Sequence, residues 1–277
     1  MRPRLPAVLL VLPLLLGGCG MFGGPTVKRQ TAPATAEGLY QSGVAQMNAE
    51  NYKQAISDFD QVEEDFPFSP WATNAQLMHG YAAYLQQDYT GAIDALERFI
   101  QLHPANPDIA YAYYLRALCY YEQISDILRD QQTTREAISA LQEVVNRFPG
   151  SAYANDARLK IDLCRDHLAG HEMVIGRYYE RQGDYIAAIG RYQTVVQDYQ
   201  TTNHVPEALE RLVECYLKLG MKTEAAHAGA VLGYNYPGST WYRDAFARLH
   251  EAGIVTASAP QPAGGPGFFG GLWSAIF

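Results

Sequence analysis

Cys164, His167 and His171 stand at i, i+3 and i+7 in the stretch CRDHLAGH. On a helix that spacing puts all three on one face. A thiolate and two imidazoles can hold zinc and leave a fourth position open for water. Two features weigh against such a site. Tetrahedral sites are rarely built from one straight helix, and Gly170 interrupts the spacing. Glu172, the nearest acid, points about 100° away from His171 on a helix. The other acidic groupings, Asp58 with Asp60 and the run Glu63-Glu64-Asp65, fall on the outward face of an amphipathic pattern. They are expected to be solvated. No GxSxG, HExxH, P-loop or GxGxxG stands in a usable context after the N-terminal leader. The expectation is a chain with no catalytic residue, no metal and no soluble cofactor.

A different chemistry sits at Cys19. Arg2 and Arg4 form a short basic head, and residues 5–16 carry only Leu, Val, Ala and Pro. That stretch is far below the roughly 20 residues needed to cross a bilayer, and reads as a secretory signal. It closes on Leu16-Gly17-Gly18-Cys19, which resembles the bacterial lipobox. The resemblance implies a signal peptide over residues 1–18, a diacylglycerol on the Cys19 sulfur and an N-acyl lipid on its amine. Three chains anchor durably where one binds only marginally. Gly20 follows rather than Asp. By similarity to Gram-negative sorting this favours the periplasmic face of the outer membrane. Residues 19–35, rich in Gly, Pro and Thr, read as a lipidated tether.

The formal net charge is −8, and removal of Arg2 and Arg4 makes the remainder more acidic still. Without a basic cluster, nucleic acid is excluded as a partner, and attachment to the membrane is left to the lipid anchor. Cys119, Cys164 and Cys215 lie among apolar neighbours in helical patterns. They are expected to be buried, unpaired thiols, with one disulfide as the alternative in an oxidising compartment.

The elements that must carry any function repeat along the chain. NYKQAISDFDQVEEDFP, DYTGAIDALERFIQLHP, TTREAISALQEVVNRFP, GDYIAAIGRYQTVVQDYQ and MKTEAAHAGAVLGYNYP align on Ala55, Ala92, Ala137, Ala188 and Ala225. Four residues on come Phe59, Leu96, Leu141, Tyr192 and Gly229, and Pro67, Pro104, Pro149 and Pro237 close four of the five segments. About twelve residues before each alanine stands Gly43, Gly80, Ala117, Gly176 or Val213. This is the tetratricopeptide pattern. Two helices approach closely where one offers Gly or Ala, and each pair covers the apolar face of the next. The fold class expected is all-α, a right-handed solenoid of about five helix pairs. Repeats one to three occupy residues 36–150. Repeats four and five, with an extra helix, occupy 151–252. Residues 253–277 form a low-complexity aromatic tail. Gln200 in place of proline and Gly229 in place of an aromatic weaken the last two repeats.

Stacked first helices line a groove in this architecture. The register places Tyr40, Val44, Met47, Leu77, Tyr81, Tyr84, Tyr111, Tyr114, Leu118 and Tyr121 there in the N-terminal half, with several tyrosines packing between helices instead. The C-terminal half offers Met173, Arg177, Glu180, Arg181, Glu207, Glu210, Glu214 and Lys218. An aromatic groove suits an extended apolar peptide; a charged face suits a folded partner.

The stretch HLAGHEMVIGRYYERQGDYIAAIGRYQTVVQDYQTT resembles the BamD family of outer-membrane protein assembly factors. The matching positions are Leu168, Ala169, Glu172, Tyr178, Tyr179, Tyr185, Ala187, Ala188 and Arg191. The resemblance runs from about residue 36 to 245 and leaves out the tail. It implies a non-enzymatic lipoprotein whose N-terminal repeats receive unfolded outer-membrane protein precursors. Its C-terminal repeats would dock the periplasmic domain of a central β-barrel assembly subunit, beside accessory assembly lipoproteins. Arg191 carries the family's partner-binding arginine, or else makes only a local ion pair. A periplasmic adaptor in envelope, peptidoglycan or division complexes is the alternative function. A hydrolase is excluded by the lack of residues for a catalytic domain. Phe268, Phe269, Leu272, Trp273, Ile276 and Phe277 make the tail a membrane-surface or partner-docking segment, or a sticky end without function.

Overall fold

The computed structural model describes residues 35–255. Cys19, the tether through residue 34 and the tail from residue 256 lie outside the described residues. Within them the chain forms eleven α-helices and no strand. Five antiparallel pairs and a closing helix account for all eleven: α1 (Ala36–Asn48) with α2 (Tyr52–Asp65), α3 (Pro70–Leu85) with α4 (Tyr89–Leu102), and α5 (Ile109–Glu122) with α6 (Gln132–Arg147). Then α7 (Ala152–Gln182) pairs with α8 (Tyr185–Asp198), α9 (Val205–Lys218) with α10 (Lys222–Asn235), and α11 (Thr240–Glu251) packs on the last pair. Each helix contacts its sequence neighbours, as a solenoid requires.

Local chemistry starts and stops these helices. Thr35, Ser69, Asp88, Ser151, Asp184 and Ser239 accept a hydrogen bond from a first-turn backbone N–H, which satisfies a donor the helix leaves open. Gly183 ends α7 in the left-handed region at φ 82°, where a side chain would be strained.

The alanine register predicted from the repeats is the core. Ala55, Ala92, Ala137, Ala188 and Ala225 are all 0% exposed, as are Phe59, Leu96, Leu141 and Tyr192. Complete burial of one such large side chain is worth roughly 1.5–3 kcal/mol. A Cβ on Gly43 would lie 2.5 Å from Phe59 Cε1, and one on Gly80 would lie 2.8 Å from Leu96 Cδ2. A Cβ on Gly176 would overlap the ring of Tyr192. The small residue of each pair is therefore the socket for the large one.

Two expectations change. The extra helix and the first helix of repeat four are one continuous helix of 31 residues, α7. Gly229 is not a weakened aromatic position but a socket, filled by Leu249 from α11. The segment between α5 and α6 is a loop that folds onto α7: a Cβ on Gly170 would lie 2.6 Å from Ile127 Cδ1.

Candidate peptide groove and partner face

The N-terminal tyrosines form separate ring clusters, one around Tyr40 and others from Tyr81 onward. Tyr40 packs 5.0 Å from Trp71 and 5.7 Å from Phe59 between ring centroids. Tyr81 meets Tyr111 edge-on at 6.3 Å, and Tyr84 lies 5.9 Å from Tyr89. Tyr40, Val44, Leu77, Tyr81, Tyr84, Tyr111, Tyr114 and Tyr121 are each only partly buried, so each presents a face to solvent as well as to its neighbours.

The far wall of this groove comes from α7, which the repeat register did not reveal. Tyr153 stacks on Tyr114 at 5.2 Å and lies 5.7 Å from Tyr111. Tyr114 donates its hydroxyl to Asp156 Oδ2 at 2.5 Å, and Lys160 Nζ stands 4.5 Å over the ring of Tyr121. Leu163 and His167 continue the stripe, lining with Tyr121, Glu122, Ile124 and Cys164 a recess of about 270 Å³. Tyr153, Asp156, Lys160, Leu163 and His167 recur at three- and four-residue intervals. That helical stripe was the available signal, and it lay outside any repeat.

The phenols stay protonated. Burial pushes Tyr84 up to about 12, helped by the nearby Glu122 carboxylate. Burial also raises Tyr111, and raises Tyr114 together with its bond to Asp156. The groove therefore offers uncharged rings with hydroxyl donors, suited to an extended apolar or aromatic segment.

The C-terminal half is built differently. Met173 is 0% exposed and belongs to the core, not to a groove. Arg177 pairs with Glu207 at 2.8 Å, and Arg211 reaches Glu180 at 3.4 Å and Glu214 at 3.5 Å. Tyr192, seated on Gly176, donates to Glu180 at 2.6 Å. Glu210, expected at the surface, is 2% exposed. Its Oε1 lies 3.1 Å from Arg248 of α11 but is not aligned for a hydrogen bond. Burial raises the Glu210 carboxyl to about 7 against the pull of Arg248 and Arg211. Most of these charges thus answer one another. Arg181 and Lys218 remain at an open recess of about 360 Å³ beside them.

Arg191, on α8, places Nη1 3.0 Å from Glu172 Oε2 on α7. The pair spans two helices rather than one turn. Arg191 keeps 43% of its side chain exposed while Glu172 keeps 14%. The carboxylate thus holds a half-exposed guanidinium outward.

The sequence-derived metal triad does not assemble. Cys164 is buried, His171 Nδ1 lies 2.5 Å from the Ile127 carbonyl, and His167 faces the groove recess. Among the described residues, the ligand atoms that converge belong to Asp60, Glu63 and His79. There His79 Nδ1 meets Asp60 Oδ1 at 2.7 Å, tying α3 to α2. Asp58 is buried, accepting from Ser42 and Gln54, and so departs from the expected solvated face. Asp60 stays about half exposed beside His79, and Glu64 and Asp65 are exposed as expected. Cys119, Cys164 and Cys215 are unpaired, and burial raises them to about 12, 11 and 12, which leaves them as unreactive thiols. No helix among the described residues is long and apolar enough to cross a membrane.

Comparison with known proteins adds the following. The YfiO profile, described as "Outer membrane lipoprotein", matches residues 33–232. The chain is 46% identical to outer membrane protein assembly factor BamD of Caulobacter vibrioides, over 95% of this chain and 86% of that protein. It is 44% identical to BamD of Rickettsia prowazekii, over 88% of this chain and 95% of that one. BamD of Neisseria meningitidis serogroup A is 37% identical, over 85% and 92% respectively. Among solved structures, the TPR2AB domain of yeast Sti1 covers 79% of this chain and 83% of that one, with a TM-score of 0.42 at 14% identity.

Proposed function

The chain belongs to the YfiO family of outer membrane lipoproteins, which includes the curated BamD assembly factors, and from that premise we propose an outer membrane protein assembly factor whose two halves hold different partners. The half built on α1 to the first turns of α7 holds unfolded outer-membrane protein precursors by their aromatic segments. The half built on the rest of α7 to α11 docks the periplasmic domain of a central β-barrel assembly subunit. Lipid on Cys19 keeps both at the periplasmic face of the outer membrane, where accessory lipoproteins join. The work is binding, with no bond made or broken in the client.

The observation that carries this reading is the contrast between the two faces. One is a set of protonated, half-exposed tyrosines. The other presents one half-exposed arginine held by a mostly buried carboxylate. A guanidinium set in that way has donors left for a partner's carboxylate, in the bidentate geometry that makes such contacts strong.

Two variants test the docking half. Arg191→Glu abolishes co-purification of the barrel subunit, and circular dichroism checks that the variant is folded, because it leaves the mostly buried Glu172 facing a second carboxylate. Adding Glu172→Arg restores the internal pair with its charges exchanged. If the double variant still fails to recover the barrel subunit, Arg191 contacts the partner. Recovery of the complex would show that only the internal pair matters. Co-purification of peptidoglycan synthases in place of a barrel protein would replace the proposal with an envelope adaptor.

A further inference from the structure

At the junction of the first two helix pairs, three side chains with metal-binding atoms converge outside the positions that the repeat packing uses. Asp60 and Glu63 stand three residues apart on α2 and share one face. His79 reaches them from α3. One ligand atom from each, two carboxylate oxygens and an imidazole nitrogen, lies within 4.8 Å of the other two. All three residues are partly buried, and His79 keeps only 20% of its side chain exposed.

Hydrogen bonding accounts for only one of the two carboxylates. His79 Nδ1 meets Asp60 Oδ1 at 2.7 Å, while Glu63 makes no ion pair among the described residues. Burial raises the Glu63 carboxyl and Asp60 raises it further, against the pull of Gln76, His79 and Arg98. With His79 neutral, two carboxylates crowd one half-buried spot, and a bound cation relieves their repulsion.

The donor set narrows the choice of ion. Magnesium and calcium take oxygen ligands, whereas an imidazole beside two carboxylates suits a first-row divalent ion such as zinc. Zinc binds N and O donors at about 2.0–2.2 Å, which sets tetrahedral ligand atoms about 3.4 Å apart. The Nδ1–Oδ1 pair has to open by only about 0.7 Å to admit it, a small side-chain rotation. Asp60 keeps 46% of its side chain exposed, so water can reach the fourth position. Gln76, one turn before His79, stands beside Glu63 and holds His103 Nε2 at 2.8 Å. Ligating carboxylates are commonly oriented by an outer partner of this kind.

We propose that Asp60, Glu63 and His79 form a zinc site that ties α2 to α3. The ion holds the first helix pair against the second, across a junction that Tyr40 of α1 and Trp71 of α3 also span. The assignment does not depend on what the groove binds.

The test strips the untagged full lipoprotein with a chelator in detergent and titrates it with zinc chloride by calorimetry. One equivalent is expected to bind in the micromolar range, and the thermal midpoint is expected to rise with zinc concentration. Glu63→Gln keeps the shape of the side chain and breaks no ion pair. It is expected to weaken zinc at least about tenfold. Asp60→Asn can still accept from His79 and is expected to weaken zinc by a similar factor, with circular dichroism of both metal-free variants checking the fold. Cobalt chloride is expected to give the visible absorption of a four-coordinate ion, which Glu63→Gln removes. Unchanged zinc affinity in both variants, binding only at millimolar zinc, or an equal midpoint shift with magnesium chloride overturns the proposal. The His79–Asp60 contact would then be a hydrogen bond between helices and nothing more.

Discussion

The two halves of this solenoid use the same helix-pair scaffold and fill its inner face in opposite ways. From α1 to the first turns of α7, rings touch rings, with Tyr114 stacked on Tyr153 and Tyr81 set against Tyr111. From the later turns of α7 to α11, guanidinium groups touch carboxylates, with Arg211 beside Glu180 and Arg248 beside Glu210 and Glu214. Rings leave contact area unspent, because a half-exposed tyrosine still has a face to offer. Charges that answer one another leave little, because buried ions must be matched inside the chain. The first half therefore keeps apolar area open. The second spends most of its charges internally and leaves a few held at its rim.

Four measurements would break or sharpen that contrast. The largest effect is expected from Arg211→Met, which strips the partner from Glu180 and from buried Glu210. Removing one member of a buried ion pair costs about 3–5 kcal/mol. Denaturant unfolding should show that loss, while peptide binding below the transition stays unchanged. Tyr114→Ala should do the reverse. The expected loss is about 2 kcal/mol of aromatic-peptide affinity, measured by titration, with a smaller change in stability. If Arg211→Met weakened the peptide as much as Tyr114→Ala does, the halves would not be functionally separate.

Glu210→Gln tests the buried carboxylate. Its folded pKa, about 7, lies above its ordinary value of 4.5. The folded state therefore holds the proton more tightly, and Glu210 makes stability fall as pH rises from about 4.5 to 7. The amide removes that cost. The variant is expected to be more stable than the parent by about 3 kcal/mol at pH 8, with the gap closing as pH falls below about 4.5. A gap independent of pH would mean that Arg248 keeps the carboxylate ionised throughout. The smallest effect is expected from Lys160→Met, which removes the cation over Tyr121 at a cost of about 0.5–1 kcal/mol in stability by thermal unfolding.

Much of this was legible in the sequence, for a physical reason. The alanine and aromatic positions of the repeats are set by contacts within a helix pair, a few residues apart in register. Ala188 and Tyr192 could be placed in the core from spacing alone. What stayed hidden depends on contacts from far along the chain. Gly229 reads as a missing aromatic until Leu249 arrives from α11 to fill it. Glu210 reads as a surface charge until Arg248 covers it. The groove wall from Tyr153 to His167 was hidden because α7 lies across a repeat boundary. Tyr40, Tyr81, Tyr84, Tyr111, Tyr114 and Tyr121 are each partly buried, as residues at the edge of a helix-pair contact are once the repeat fixes their register.

One feature ties the contrast together. At 1.5 Å per residue, the 31 residues of α7 make a rod about 46 Å long. Its early turns wall the tyrosine groove and its later turns hold Glu172 against Arg191. Gly170 and Gly176 do not break it, because Ile127 and Tyr192 pack onto them. Glu172 lies about 18 Å beyond Lys160 along this one rod, at 1.5 Å per residue. The tyrosine wall and the arginine contact are thus spaced by unbroken helix and not by a loop, so the rise of the helix sets the distance between them.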